Sequence, residues 1–193
     1  MGTSGAWGFR IGGQDKITYN HFDSYLEGLG DSLVRELRTR QKSHPEWLHQ
    51  LRAEVRQLEL VGEEDPPTSA QKARLEPFAD LRVNTGSLDD WYCLLRQTQG
   101  DLNTTLKAGI MIDRQDFLHD SMFCVFAYII NLDDETFEVY RGVQDSPHNH
   151  GRYSAAAADS EYDYYGVALV KTIPLNDLPE ESLETIVPPE EET

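Results

Sequence analysis

The sequence predicts an α+β domain in which N-terminal and C-terminal hairpins share a mainly antiparallel sheet packed on central helices. Three observations carry this. Near the start, large apolar residues alternate with others over residues 6–11, and strand-type residues resume at Ile17-Thr18-Tyr19 after Gly12-Gly13. The middle of the chain carries helix-starting residues followed by apolar residues at helical spacing. From Met122 the composition returns to strand formers. A chain of 193 residues is long enough to bury a core without metal or disulfide support. Residues 1–178 read as one domain and residues 179–193 as an acidic, flexible tail.

The elements follow in order. In the first hairpin Trp7, Phe9 and Ile11 share one face, which sends Arg10 to the other, toward solvent or a site. After Gly30, residues 31–38 begin a first helix. Ser43-His44-Pro45-Glu46 has the form of a capping box with proline in the first turn, followed by an apolar stripe of Trp47, Leu48, Leu51, Val55 and Leu58. Residues 62–67 form a polar connection with two prolines, Thr68 to Gln71 restarts a short helix, and Pro77 ends it. A further helix starts at Ser87 to Asp90, Gly100 interrupts it, and residues 102–107 add one or two turns. Residues 123–130 form a continuous apolar run, expected to be a central buried strand. Residues 131–136 turn the chain into a returning strand with Phe137 and Val139. Residues 145–165 read as a long irregular loop and residues 166–173 as the last strand.

Charge restricts the partners. With 34 acidic against 17 basic residues, the net charge of −17 disfavours nucleic-acid phosphates and anionic membrane surfaces and favours a basic protein surface or a small ligand. No apolar run is long enough to span a bilayer and the N-terminus lacks a signal-like core, so a cytoplasmic location is expected. The two cysteines, Cys93 and Cys124, lie among apolar neighbours and read as core. His148 and His150, near Asp145, lack a second ligand pair at zinc spacing, and neither metal nor cofactor is called for. Phosphate-cradling loops and serine-esterase elbows are missing from the sequence.

The densest chemistry lies in residues 19–30, Tyr19-Asn20-His21-Phe22-Asp23-Ser24-Tyr25-Leu26-Glu27-Gly28-Leu29-Gly30, where the hairpin leaves its sheet. Tyr19, His21, Ser24 and Tyr25, with Arg10, are candidate ligand-binding residues. Strand geometry separates His21 and Asp23 from Ser24, which argues against a local triad. The same residue types also serve plain turn chemistry: Asn20 and Ser24 cap turns, and Gly28 and Gly30 permit left-handed backbone.

The opening Met1-Gly2-Thr3-Ser4-Gly5, together with residues 19–25 and Gly28-Leu29-Gly30, resembles a poorly characterised group of microbial, viral and fungal proteins that begin Met-(Gly or Cys)-Thr-Arg-Gly. More loosely, the order of elements is similar to N-terminal-nucleophile (Ntn) hydrolases, including glutamine-amidotransferase-like domains. That likeness implies Ntn-like layers and an amidohydrolase acting on a small amide-containing ligand. On it, Thr3 is the nucleophile, Asn20 an oxyanion donor, Asp23 a polar organiser of the catalytic group, and Arg10 an anion-orienting group. Three positions depart from the pattern. Gly2 offers no nucleophile, Ser4 replaces the usual arginine, and Leu26 replaces the usual proline. The competing expectation is a non-enzymatic acidic binding protein, an inhibitor of a host or defence protein that mimics a polyanion.

Overall fold

The computed structural model describes residues 3–119, 121–154 and 164–188. Gly2, residues 155–163 of the 145–165 loop and the chain end from residue 189 therefore lie outside the described residues. Strands β1 (Gly5–Ile11) and β2 (Gln14–Asn20) form the first hairpin. Helices α1 (Asp31–Ser43) and α2 (Trp47–Gln57) follow, then β3 (Glu59–Val61), α3 (Ser69–Leu75), the single-turn α4 (Trp91–Leu94), α5 (Leu102–Ala108) and β4 (Ile110–Ile112). The chain closes with β5 (Phe126–Asn131), β6 (Thr136–Arg141), β7 (Ala168–Pro174) and a one-turn helix α6 (Leu183–Ile186).

The N-terminal and C-terminal strands join one five-stranded sheet in the order β2-β1-β5-β6-β7. Every pairing is antiparallel except β1 with β5. The first hairpin turns through Gly12 and Gly13, both at positive φ (59° and 74°), which matches the twist of a tight two-residue turn. Their N–H groups donate to the two carboxylate oxygens of Asp133, 2.7 and 2.8 Å away, and so tie this turn to the one between β5 and β6.

Strand alternation divides the sheet into two faces. Trp7, Phe9, Tyr128, Ile130, Phe137 and Val139 pack with Leu33 and Leu37 of α1 and Leu51 and Val55 of α2. Ala6, Ile17, Ala127, Ile129 and Tyr140 face the other way, under Leu118, Cys124, Tyr153 and Val167. A third cluster joins the β3–β4 ribbon to α3, α4 and α5 through Val61, Leu75, Trp91, Leu94 and Ile110. This small lobe docks beside edge strand β2, where the Arg114 N–H donates to the Ile17 carbonyl at 2.9 Å. The space between lobe and sheet edge holds the candidate site.

Several local expectations need correction. Residues 123–125 precede β5: Cys124 turns back through its N–H to the Ser121 carbonyl, and Phe123 is half exposed. Ser43 does not cap α2. Its hydroxyl donates back to the Thr39 carbonyl inside α1, and α2 starts at Trp47 without a side-chain cap. The Thr68–Gln71 box forms in both halves, whereas α4 is capped by Asp90 and is a single turn. Residues 179–188 are packed on the domain: Leu183 is buried, its N–H donates to Asp31 at 2.8 Å, and Arg38 bonds the Pro179 carbonyl. Burying Leu183 and Val187 offsets the ordering cost that the glutamate-rich composition suggested would dominate. Among the described residues, no helix is long and apolar enough to cross a membrane.

Candidate functional site

β2 ends at Asn20, and the next residues fold into a hydrogen-bonded knot. The Asn20 amide nitrogen donates to the Phe22 carbonyl and, at 2.8 Å, to the Ser24 hydroxyl. Ser24 is fully buried; its N–H donates to the Thr3 carbonyl at 3.1 Å, and its own carbonyl accepts from the Tyr128 hydroxyl at 3.0 Å. Asp23 supplies the left-handed residue of the turn, at φ 51°. Its carbonyl accepts from the Leu29 N–H at 2.8 Å, and a Cβ at Gly28 would lie 2.2 Å from that same oxygen. Gly28 is therefore required by close approach, and the left-handed conformation expected of the glycines falls on Asp23 instead. A π turn, Leu26–Gly30, then leads directly into α1.

Three of the residues named by sequence, Thr3, Asn20 and Ser24, are thus brought together. The Thr3 residue is only 9% exposed, and both hydrogens of the Asn20 amide nitrogen are already donated within the knot. Asp23 and Tyr25 are exposed. Arg10 sits at the far end of β1, where its guanidinium bonds Asp15 at 2.9 Å and is buffered against a ligand by that partner. Arg152 lies 4.0 Å from the same carboxylate and binds Glu138 through both of its terminal nitrogens.

Tyr19 and His21 point elsewhere, into a cavity of about 300 Å³ between β2 and the small lobe. The Tyr19 ring meets His21 edge to face at 4.4 Å and Phe117 at 4.9 Å, and His21 meets Tyr92 at 4.8 Å. Arg114 lies over Tyr19 and Phe117, each ring centroid 5.7 Å away, and bonds Glu63 at 3.1 Å. Arg96 lies over Phe22 and Tyr92. Burial first, then the charges of Arg96 and Arg114, hold the His21 imidazole below its ordinary pKa. The ring is therefore neutral at pH 7, with one N–H to donate and one nitrogen to accept.

Gln99 also lines this cavity, and its side-chain oxygen is buried without a hydrogen-bond partner. A second, wider cavity of about 960 Å³ shares His21, Glu63, Gln99 and Ile112 with the first. Glu63, Glu64, Asp65, Asp89 and Asp90 line it, with neither lysine nor arginine among its lining residues. Hydrogen bonds from Thr85, the Tyr92 N–H and Asn84 outweigh the burial of Asp90 and hold its carboxyl below the usual range.

Sequence reasoning missed Gln99, Arg114 and Phe117. A signal existed for one of them, since Ile110-Met111-Ile112 reads as a short strand that ends just before Asp113-Arg114. The other features carry less chemistry. The His148 ring nitrogen is 2.8 Å from the Gly166 carbonyl oxygen and the His150 ring stacks beside it, while among the described residues no group of three or more His, Cys, Asp or Glu side chains is placed to hold a metal ion. Burial pushes the Cys124 thiol up to about 12, which makes it inert as a nucleophile near neutral pH. Compared with known proteins, the chain matches no family model, and no curated protein or solved structure matches it significantly.

Proposed function

We propose that this chain is a small-molecule-binding protein of Ntn-hydrolase-like ancestry whose ligand, an amide-containing molecule, occupies the inner cavity beside β2. The observation that carries the reading is the convergence of Tyr19 and His21, from the chemically densest stretch, with Gln99 and Arg114 on one concave space. Concave sites with aromatic walls and a few convergent polar groups are where small ligands bind. Amide hydrolysis at Thr3 fits less well, because Thr3 is outside the cavity lining and the Asn20 donors are already taken. The test is a set of simple aliphatic and aromatic amides followed by ligand-observed NMR. Binding to the wild type, lost in the cavity-filling variant Ile112→Trp, is the expected result. Binding that persists unchanged in Ile112→Trp would exclude this cavity, and ammonia release abolished by Thr3→Ala would restore the hydrolase reading.

A second reading draws on the outer cavity, whose five carboxylates gather part of the net negative charge on one concave surface. Concentrated charge of one sign attracts a basic protein surface and makes association depend steeply on salt. Capture of a basic partner that survives high salt would contradict it.

A further inference from the structure

The inner cavity and the wider outer one adjoin at four shared lining residues, His21, Glu63, Gln99 and Ile112. His21, Gln99 and Ile112 are half-buried and Glu63 is exposed, so each keeps surface for a ligand that reaches across the junction. The two spaces differ in charge. In the inner one the charged lining residues, Arg114 and Glu63, pair with each other at 3.1 Å. Its walls from Tyr19, Phe117 and Phe123 are flat and aromatic, suited to offset packing against a ring. In the outer one Glu63 is neutralised by Arg114 and Asp89 by Lys72, while Asp90 accepts from the neutral donors Thr85, Asn84 and the Tyr92 N–H. Glu64, Asp65 and Asp90 are left without an ion-pair partner among the described residues. Arg96 is turned over the Phe22 and Tyr92 rings and lies outside both linings, and the neutral His21 puts no positive charge at the junction. Carboxylates alone would serve solubility; gathered on a concave wall beside an aromatic-walled space, they focus their field on whatever extends from that space.

We infer that the ligand spans both spaces: an uncharged aryl amide in the inner cavity carries a short arm that ends in an ammonium group among Glu64, Asp65 and Asp90. This rests on the amide-binding reading above and specifies the ligand class within it. Aromatic packing in the smaller space holds the ring, and the outer carboxylates select the sign of the arm. Because Glu64 and Asp65 are exposed, the arm contributes as a solvent-screened pair does and its share vanishes at high salt, whereas the share of the ring remains. An anionic arm meets like charge in the same place and is disfavoured.

The experiment is isothermal titration of the full chain with benzamide and with benzamides bearing a para aminomethyl, aminoethyl or aminopropyl arm, each beside its hydroxyl and carboxylate counterparts. It is repeated at high salt and on two double variants. Glu64→Gln with Asp65→Asn neutralises the outer wall, and Glu181→Gln with Glu184→Gln removes the same charge from the chain segment packed on α1. All four residues are exposed, so both variants are expected to fold, and benzamide, which has no arm, is the reference in each. At low salt at least one amine is expected to bind about fivefold more tightly than its hydroxyl counterpart, the size of one exposed ion pair, and the carboxylate more weakly than either. The advantage should fade at about 1 M salt, where screening acts within about 3 Å. It should be lost in the Glu64 and Asp65 variant and kept in the Glu181 and Glu184 variant. An amine series no tighter than the hydroxyl series, or an advantage unchanged in the outer-wall variant, would overturn the inference while leaving amide binding intact. Equal loss in both double variants would trace the advantage to net charge and have the same effect. Failure of benzamide and every armed compound to bind the wild type would overturn both.

Discussion

The two ends of the β1–β2 hairpin differ in how their charged and aromatic groups are partnered, although each lies near a buried polar atom without a hydrogen-bond partner, Thr136 Oγ1 at the turn end and Gln99 Oε1 at the open end. At the turn end, Asp133 takes the N–H groups of Gly12 and Gly13, Arg10 pairs with Asp15, and Glu138 accepts from Arg152, Tyr140 and Asn131. At the open end, His21 is neutral among aromatic rings and lines a cavity together with Gln99. Paired charges rigidify a fold, whereas neutral polar and aromatic groups around a concave space are candidates for binding. The comparison therefore assigns stability to one end and recognition to the other.

The largest expected effect lies at the turn end, where the ion pairs are. Glu138 is 6% exposed in its side chain and Arg152 27%, so Glu138→Gln removes the nearer of the two carboxylates around a partly buried guanidinium, leaving Asp15 at 4.0 Å, and should cost about 2 kcal/mol in urea denaturation. Amide binding should be unchanged in this variant if it remains folded. The double variant Glu138→Gln with Arg152→Met should recover much of the loss. A Glu138→Gln protein as stable as the wild type would break the comparison at its stronger half.

A smaller effect is expected in the turn between the two ends. Asp23 occupies left-handed backbone, so Asp23→Ala should cost about 1 kcal/mol, while Asp23→Gly and Asp23→Asn should stay within about 0.5 kcal/mol of the wild type. Ligand binding should survive all three, because Asp23 is outside the cavity lining. Loss of binding in Asp23→Asn with normal stability would return Asp23 to a functional role.

The smallest effects are in pH dependence, where the two ends separate by window. The folded His21 has a lowered pKa, so its contribution is complete above the unfolded imidazole value of about 6.5. As pH falls below that value the unfolded chain binds the proton first, and stability declines. His21→Phe should flatten this part of the stability profile. Asp133, held low first by the Gly13 N–H and then by that of Gly12, keeps its contribution above the unfolded carboxyl value of about 3.9 and loses it as pH falls through the lower folded value. Asp133→Asn should remove the slope in that acid window and lower stability at every pH above it. A His21→Phe profile parallel to the wild type between pH 5 and 7 would remove the neutral imidazole from the account.

Much of the fold was legible because alternation and helical spacing are local signals. The hairpin at residues 6–19, the stripe of Trp47, Leu51 and Val55, and the Thr68–Gln71 box all rest on neighbours in sequence. The site was only half legible. Residues 19–21 drew notice for their side chains, but their cavity is completed by Gln99, Arg114 and Phe117, which reach it only through the docking of the small lobe. The partner of Arg10 was hidden for a similar reason, since the pairing register places Asp15 opposite it in the hairpin. The packing of Leu183 on α1 was hidden by the surrounding glutamates.

The most direct measurement is a benzamide titration followed by NMR of labelled side chains, reading the His21 ring, the Gln99 amide and the guanidinium groups of Arg10 and Arg152 in one experiment. The account predicts saturable shifts at His21 and Gln99 with Arg10 and Arg152 unmoved. Shifts at Arg10 and Arg152 with His21 and Gln99 unchanged would contradict it, because recognition would then reside at the end of the hairpin whose charged groups already have partners.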